Sequence, residues 1–154
     1  MPKKKATLQQ PKSVQVIPEK IHLTKITITN AQVNGPSEVA GTLDGVVMKV
    51  GAKTLFNQEK ACKVILTIDL FKEHEEPQKE VKANFTIEFF LQVENMDDFI
   101  VHKSPEEFQL DSRLGSAIMG IVYSTARGII LTRTAGTALQ GTILPVIDPS
   151  GLLN

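Results

Sequence analysis

Two segments that alternate strictly between apolar and polar residues most constrain how this chain can fold. Every second residue is apolar from Cys62 to Leu70, and the same alternation runs from Val81 to Val93. A period of two places the apolar side chains on one face of a strand and leaves the other face to water. The linker between them, residues 72–80, carries four glutamates and Pro77. The pattern therefore predicts an antiparallel hairpin with a charged tip and one buried face.

Weaker alternation predicts two further strands upstream. The apolar positions of the first are Ile21, Leu23, Ile26 and Ile28. Their parity changes across Thr24 and Lys25, and a β-bulge at that point would let all four side chains face one core. The second is predicted as a short strand from Val46 to Val50 that ends at Gly51.

The apolar period becomes helical after residue 111. One stripe of the predicted helix is formed by Leu114, Ile118, Ile121 and Thr125, and the stripe is widened by Val122, Ala126, Ile129 and Ile130. Asp111 or Ser112 supplies an N-cap, and Gly136 marks the expected end. Between Ser112 and Ala135 the segment has three arginines and no acidic residue.

A helix that is apolar nearly all round has to be covered on more than one side. One sheet covers one face only, so we expect the other face to pack against a second copy of the protein. The expected interface residues are Ile118, Ile121, Val122 and Thr125. Small residues at Gly120 and Ser124 would allow close contact between helices, although they also suit packing within one chain.

These elements predict an α+β domain over residues 14–154, with one antiparallel sheet and one long helix. Asp148 and Pro149 form a good N-cap and first-position pair for a short final helix. Residues 1–13 contain four lysines and few apolar groups. This composition predicts a mobile basic tail, which is either a solubilising terminus or an arm for nucleic acid or membrane.

Composition excludes several classes of protein. The chain has 154 residues, is 42% hydrophobic, and balances 17 basic against 17 acidic side chains. A strong generic affinity for nucleic acid or anionic membrane usually requires a basic excess, which is absent. A single cysteine cannot form an internal disulfide, and no apolar segment of a signal peptide follows the first lysines. We therefore expect a cytoplasmic protein.

Catalytic and metal-binding patterns are not found in the sequence. His22, His74 and His102 fall on a predicted strand, a charged turn and a loop, without metal-ligand spacing to one another or to Cys62. Cys62 has the apolar parity of its strand, which predicts a buried, inert thiol. We expect no enzyme activity, no metal and no cofactor.

Several segments, in this order, resemble the SecB-type protein-export chaperones. They are the first strand, Lys20-Ile-His-Leu-Thr-Lys-Ile-Thr-Ile28; the hairpin, Lys63-Val-Ile-Leu-Thr-Ile68 and Phe85-Thr-Ile-Glu-Phe89; the helix residues Leu114-Gly115 and Tyr123-Ser-Thr-Ala-Arg127; and the tail Ile143-Leu-Pro-Val-Ile147. The resemblance covers roughly residues 20–153. It implies a four-stranded antiparallel sheet with the long helix packed on it, assembled as a dimer of dimers. It also implies ATP-independent holding of unfolded precursor proteins and their delivery to the motor SecA.

The resemblance also implies roles for particular residues. Clients of the family lie in apolar grooves, and the matching candidates here are Phe99, Ile100, Phe108 and Leu144. An acidic residue on the exposed sheet face contacts SecA in the family, and Glu88 matches it. Thr86 stands where the family has an apolar contact, which weakens the case for SecA binding.

The C-terminal region departs from the family pattern, in which a second helix and an acidic tail follow the Leu-x-Pro-Val segment. Here that second helix is largely missing. SecB-like chaperones also occur beside toxin–antitoxin pairs, where the client is an antitoxin, and the sequence does not separate that role from export. A small-ligand-binding α+β domain is a further alternative. A nucleic-acid module is opposed by the zero net charge and the few aromatic residues.

Overall fold

A computed structural model describes residues 14–36, 45–57, 59–102, 104 and 106–153, and the predicted tail at residues 1–13 lies outside them. Four strands form one antiparallel sheet: β1 (Ile21–Asn34), β2 (Val46–Phe56), β3 (Ala61–Lys72) and β4 (Val81–Val93). Their order across the sheet is β1-β4-β3-β2. The predicted hairpin is confirmed as β3 and β4, which occupy the centre of the sheet.

The inner face of the sheet is the apolar side of the predicted alternation. Apolar side chains of β3 and β4 at every second position are buried, from Cys62 to Leu70 and from Val81 to Val93. Among them, Phe85, Ile87 and Phe89 are almost completely withdrawn from water. Burial of this size supplies most of the favourable free energy of folding.

β1 contains two bulges. Its register against β4 shifts between Leu23 and Lys25, as predicted, and again between Ile28 and Asn30. The extra residue is a threonine each time: the Thr24 hydroxyl donates to the carbonyl oxygen of Phe90 at 3.0 Å, and the Thr29 hydroxyl donates to that of Thr86 at 3.2 Å. The side-chain hydrogen bonds tie each bulge to β4.

β2 is longer than the predicted strand from Val46 to Val50. It continues through Gly51, which pairs with Thr67, as far as Phe56. A glycine weakens a strand but leaves its backbone hydrogen-bonding groups intact. The alternation resumes beyond it, so the prediction that Gly51 ends the strand is wrong.

The single long helix, α1 (Ser112–Arg133), packs on the inner face of the sheet. The Asp111 carboxylate caps it by accepting from the backbone N–H of Arg113. The helix ends at Arg133, three residues before the predicted Gly136, and Gly136 has a φ of 76° in the turns that follow. By length and composition alone α1 could cross a membrane. A core helix passes the same test, and residues along its length, including Ile118, Val122 and Ile130, are buried in this chain.

Short elements complete the domain. β5 (Ile100–His102) pairs with β6 (Phe108–Leu110) just before α1. Turns of 3₁₀ helix cover Pro18–Lys20, Pro77–Lys79, Met96–Phe99 and Pro149–Leu152. In the last of these, Asp148 accepts from the backbone N–H of Ser150, which confirms the predicted N-cap.

Candidate functional site

A groove lies along the inner side of β2, where the sheet meets α1 and the C-terminal segment. The inward residues of β2 are all partly exposed, unlike those of β3 and β4, because β2 is at the edge of the sheet. Two cavities open along this strand, one at each half. We call the two cavities together the β2 groove.

The first cavity has a volume of about 270 Å³ and lies at the Phe56 end of β2. Its apolar lining comes from Ala52, Phe56, Leu110, Ile118, Leu152 and Leu153, and its polar lining from Lys53, Thr54, Gln109 and Ser112. Gly115 forms part of the wall, and a Cβ at that position would approach Leu153 Cδ2 to 3.1 Å. The absence of a side chain at Gly115 therefore lets the C-terminal segment pack closely on the helix.

The second cavity has a volume of about 160 Å³ and lies at the Val46 end of β2. Val46, Met48 and Leu70 line the sheet side, and Thr142, Ile143, Leu144 and Pro145 line the other. The Ile143 side chain is 67% exposed at this rim. An exposed apolar rim beside an apolar cavity is typical of a binding surface.

The C-terminal wall of the groove is fixed by two side chains of α1. The Tyr123 hydroxyl donates to the carbonyl oxygen of Pro145 at 2.8 Å, and Arg127 Nε donates to that of Leu144 at 2.8 Å. Tyr123 and Arg127 are four residues apart, so they lie on the same side of the helix. The helix and tail segments that carry the family resemblance thus contact each other directly.

The four residues expected to bind clients do not lie together. Leu144 lines the second cavity, although its own side chain is buried. Phe108 is partly buried and packs edge to face on Phe56, with ring centroids 5.4 Å apart, at the border of the first cavity. Phe99 is buried in the core and Ile100 is partly buried, and neither lines the two cavities of the β2 groove. A client-binding role for these four residues stays a prediction.

Glu88 lies on the outer face of the sheet, as its parity indicates. Its carboxylate forms an ion pair with Lys63 Nζ at 2.8 Å, and its side chain is only about a fifth exposed. Its neighbour two positions back on the same face is Thr86. The carboxylate predicted to contact SecA is therefore already partnered within the chain.

The predicted interface residues divide into two pairs. Ile118 and Val122 are buried within the single chain, whereas Ile121 and Thr125 are partly exposed. The exposed side of α1 faces a shallow depression lined by Ile28, Thr125, Gly128, Ile129, Thr132 and Arg133. Beyond it on β1, Leu23 and Ile26 are 36% and 39% exposed. We call Leu23, Ile26, Ile121, Thr125 and Ile129 the β1–α1 band.

The titratable groups of the described residues form no reactive set. Burial raises the pKa of the Cys62 thiol to about 11, so the nucleophilic thiolate is scarce at neutral pH. His22 pairs with Glu94 at 2.7 Å, and His74 Nδ1 accepts from the backbone N–H of Glu76. Within the described ranges no three His, Cys, Asp or Glu side chains are grouped as metal ligands would be. The chemistry that the β2 groove offers is noncovalent burial of apolar groups.

Sequence reasoning missed most of the residues that form the β2 groove. On β2 these are Met48, Ala52 and Phe56. Met48 lies within the predicted strand from Val46 to Val50 without being singled out, and the period-two pattern beyond Gly51 would have identified Ala52 and Phe56. No comparable signal marks Leu110, Ile143, Leu152 and Leu153, because each lies in a short segment without periodicity.

Comparisons with known proteins point to one fold. The chain superposes on the SecB-like chaperone Rv1957 of Mycobacterium tuberculosis, with a TM-score of 0.57 over 84% of this chain and 91% of that chain. That chaperone was solved in complex with a ChAD peptide from the Rv1956 HigA1 antitoxin. The chain has a SecB-like fold. The two sequences are 12% identical, so the SecB-like likeness lies in the backbone. A Streptococcus agalactiae protein of unknown function is also similar, at 9% identity, with a TM-score of 0.45 over 82% of this chain and 97% of that one. No protein-family model and no curated protein matches the sequence.

Proposed function

We propose that this chain is an ATP-independent chaperone that holds an unfolded protein segment in the β2 groove. The observation that carries the proposal is the alignment of two apolar cavities along one strand, with Ile143 exposed at the rim. From Val46 to Phe56 the strand spans about 33 Å at roughly 3.3 Å per residue. A groove of that length accommodates about ten residues of extended chain.

The groove binds mainly by apolar contact area, because apolar residues outnumber polar ones in the lining of both cavities. Such contact stabilises a complex by about 25 cal/mol per Å² of apolar surface removed from water. It contains little sequence information, so any extended segment with apolar side chains at suitable spacing is a possible client. Small-ligand sites are usually 300–1,000 Å³ or so with several convergent polar groups, which fits these cavities less well.

The client we favour is an antitoxin. The SecB-like chaperone of similar fold was solved with a peptide from an antitoxin. Delivery to SecA is the weaker hypothesis for this chain, because Glu88 is paired with Lys63 and is preceded on its face by Thr86. A cytoplasmic setting is part of the proposal, since antitoxins act inside the cell.

A holding assay without nucleotide tests the proposal. The purified protein is added to a general unfolded client and, separately, to a bacterial antitoxin that aggregates on its own. We expect suppression of antitoxin aggregation at stoichiometric ratios, with no effect of added ATP. Equal holding of every unfolded client would favour the export role, and failure with all clients would refute the chaperone proposal.

Photo-crosslinking locates the bound client. A client peptide carrying a photoreactive phenylalanine analogue should crosslink to β2-groove residues such as Met48, Phe56 and Ile143. Crosslinks confined to the outer-face residues Val47 and Lys49 would place the client on the opposite side of the sheet and contradict the assignment.

Self-association through the β1–α1 band is the second part of the proposal, and a tetramer is the expected state. The band leaves Leu23 and Ile26 in contact with water on the inner side of the sheet, where a second copy would cover them. Ile121→Asp should dissociate the oligomer, because an unpaired carboxylate in a buried interface costs about 3–5 kcal/mol. Val47→Asp, which adds the same charge at a position 63% exposed on the outer face of the sheet, is the control. A wild-type monomer by light scattering at micromolar concentration would refute the band as an interface.

A further inference from the structure

The outer face of the sheet, opposite the β2 groove, carries more positive than negative charge. The strand registers place five lysines on it, Lys25, Lys49, Lys53, Lys63 and Lys82, and two carboxylates, Asp69 and Glu88. The chain as a whole has no net charge. Positive charge is therefore concentrated on this face, while four glutamates lie in the β3–β4 turn.

Both carboxylates of the outer face are already engaged. Glu88 forms the ion pair with Lys63, and Asp69 accepts from the Asn84 side chain, which in turn accepts from Asn30. By contrast, no acidic side chain of the described residues forms an ion pair with Lys49 or Lys53. Asp69 stands opposite Lys49 in the register but is hydrogen-bonded to Asn84. Lys25 and Lys82 likewise form no ion pair with a described carboxylate, but they lie over the rings of Phe90 and Phe71. Lys49 and Lys53, both on β2, are therefore the lysines of this face with neither an ion pair nor a ring contact among the described residues.

The outward side of β2 has an apolar residue at each end and two lysines between them. Reading along the strand, its outward residues are Val47, Lys49, Gly51, Lys53 and Leu55. The two end residues are 63% and 46% exposed, respectively, and nothing lies within 4 Å of where a Cβ of Gly51 would be. The two lysines are about 13 Å apart at roughly 3.3 Å per residue. We call these five residues the basic strip.

We propose that the basic strip docks an extended acidic segment of a partner protein. The fitting segment carries two carboxylates at positions i and i+4, which are about 13 Å apart in extended chain. An apolar residue two positions outside each carboxylate would cover Val47 and Leu55, and the open surface at Gly51 permits close approach of the partner's backbone. This proposal does not depend on the β2 groove, which lies on the other side of the sheet.

A protein segment fits better than single-stranded nucleic acid. Nucleic-acid platforms expose aromatic rings on which successive bases stack. Here Phe90 lies between Lys25 and Lys63, whose Nζ atoms are 5.5 and 5.2 Å from the ring centroid, and Phe71 is covered by Lys82 at 5.4 Å. The two rings are about 26 Å apart along the sheet, too far for adjacent bases. The strip itself offers aliphatic rather than aromatic contact.

Methyl NMR of the full-length protein tests the proposal. The probe is a nine-residue peptide with Val at position 1, Glu at positions 3 and 7, Leu at position 9 and Ser or Thr elsewhere. We expect shifts in the methyl signals of Val47, Leu55 and the adjacent Ile65, and none at Ile143 in the groove. Binding should weaken at least twofold between about 0.02 and 0.3 M salt, because exposed charges are screened.

Two double variants separate the strip from general charge. Lys49→Gln with Lys53→Gln should weaken peptide binding about fivefold, as expected for two exposed ion pairs. Lys60→Gln with Lys79→Gln removes the same charge from two exposed hairpin turns and should leave binding unchanged. A peptide with Gln at positions 3 and 7 should bind the wild type about as weakly as the first variant binds the Glu peptide.

Three results would overturn the proposal. They are equal weakening in both double variants, methyl shifts confined to the groove, and tighter binding of an oligothymidylate than of the Glu peptide. The last would assign the strip to nucleic acid. Lys53 borders the first cavity as well as the strip, so the single variant Lys49→Gln, at a residue that lines neither cavity, is used to show that weaker peptide docking leaves client holding in the β2 groove intact. The two proposals then fail separately.

Discussion

Replacing Ile143 by Ser should weaken client binding while leaving the fold nearly unchanged. The Ile143 side chain is 67% exposed at the rim of the second cavity. Full burial of an isoleucine side chain is worth about 1.5–3 kcal/mol, so about two thirds of that, roughly 1–2 kcal/mol, is still available to a client. The dissociation constant should therefore rise about 5- to 30-fold. Fluorescence anisotropy of a labelled unfolded client, measured without nucleotide, reports this change.

The cost to folding follows from the third of the side chain that is already buried. It amounts to about 0.5–1 kcal/mol, which for a chain of this length lowers the melting temperature by roughly 1–4 °C. Val47→Ser is a matched control, because Val47 is 63% exposed but faces the other side of the sheet. If Ile143→Ser binds clients as tightly as Val47→Ser does, the second cavity does not contact the client and the groove is wrongly placed.

Three further predictions concern the C-terminal wall of the groove, the cap of α1 and the buried thiol of β3. Tyr123→Phe removes the hydrogen bond to the Pro145 carbonyl and should lower the free energy of unfolding by about 1 kcal/mol, with faster hydrogen exchange in the C-terminal segment; an unchanged urea midpoint would exclude a role for the hydroxyl in holding the tail. Asp111→Ala should cost about 1 kcal/mol through loss of the N-cap. Hydrogen bonds from Arg113 lower the pKa of Asp111 to about 2. The stabilisation of the folded chain by the Asp111 carboxylate is therefore complete above about pH 4 and is lost as pH falls towards 2. If the wild type and Asp111→Ala differ in stability by the same amount at pH 6 and at pH 2, this prediction is wrong. Burial of Cys62 predicts negligible reaction with iodoacetamide at pH 8 until denaturant is added, and rapid native-state labelling would show that the inner face of β3 opens.

The parts of the fold that the sequence predicted are those that depend on local periodicity. The β3–β4 hairpin follows from strict alternation, and the bulge at Thr24 follows from a change of parity within β1. Asp111 was one of two predicted N-caps because a short acidic side chain immediately precedes the helical period. In each of these cases the residues that form the sequence pattern are the same residues that form the structural element.

The remainder depends on contacts between segments far apart in the chain. The position of β1 beside β4 is set by pairing across the sheet, which no local pattern specifies. In an irregular segment, the sequence does not distinguish an apolar residue of the core from one at the rim of a cavity. The same prediction therefore covers Phe99, which is buried, and Phe108, which borders a cavity. The second cavity exists because Tyr123 and Arg127 hold the tail by its carbonyl oxygens, and backbone acceptors are not visible in residue identities.

The two bulges of β1 determine how this strand can change length during evolution. Pairing with β4 is continuous on both sides of Thr24, so deleting that residue would leave Leu23 and Ile26 facing inward. β4 has no bulge against β3. Deleting any one residue of β4 would therefore reverse the facing of all side chains on one side of the deletion, so that its inward apolar residues would face water. We therefore expect single-residue deletions to be tolerated at the two bulges, Thr24 and Thr29, and to be excluded from β4. Alignments of distant relatives should place their gaps in β1 accordingly.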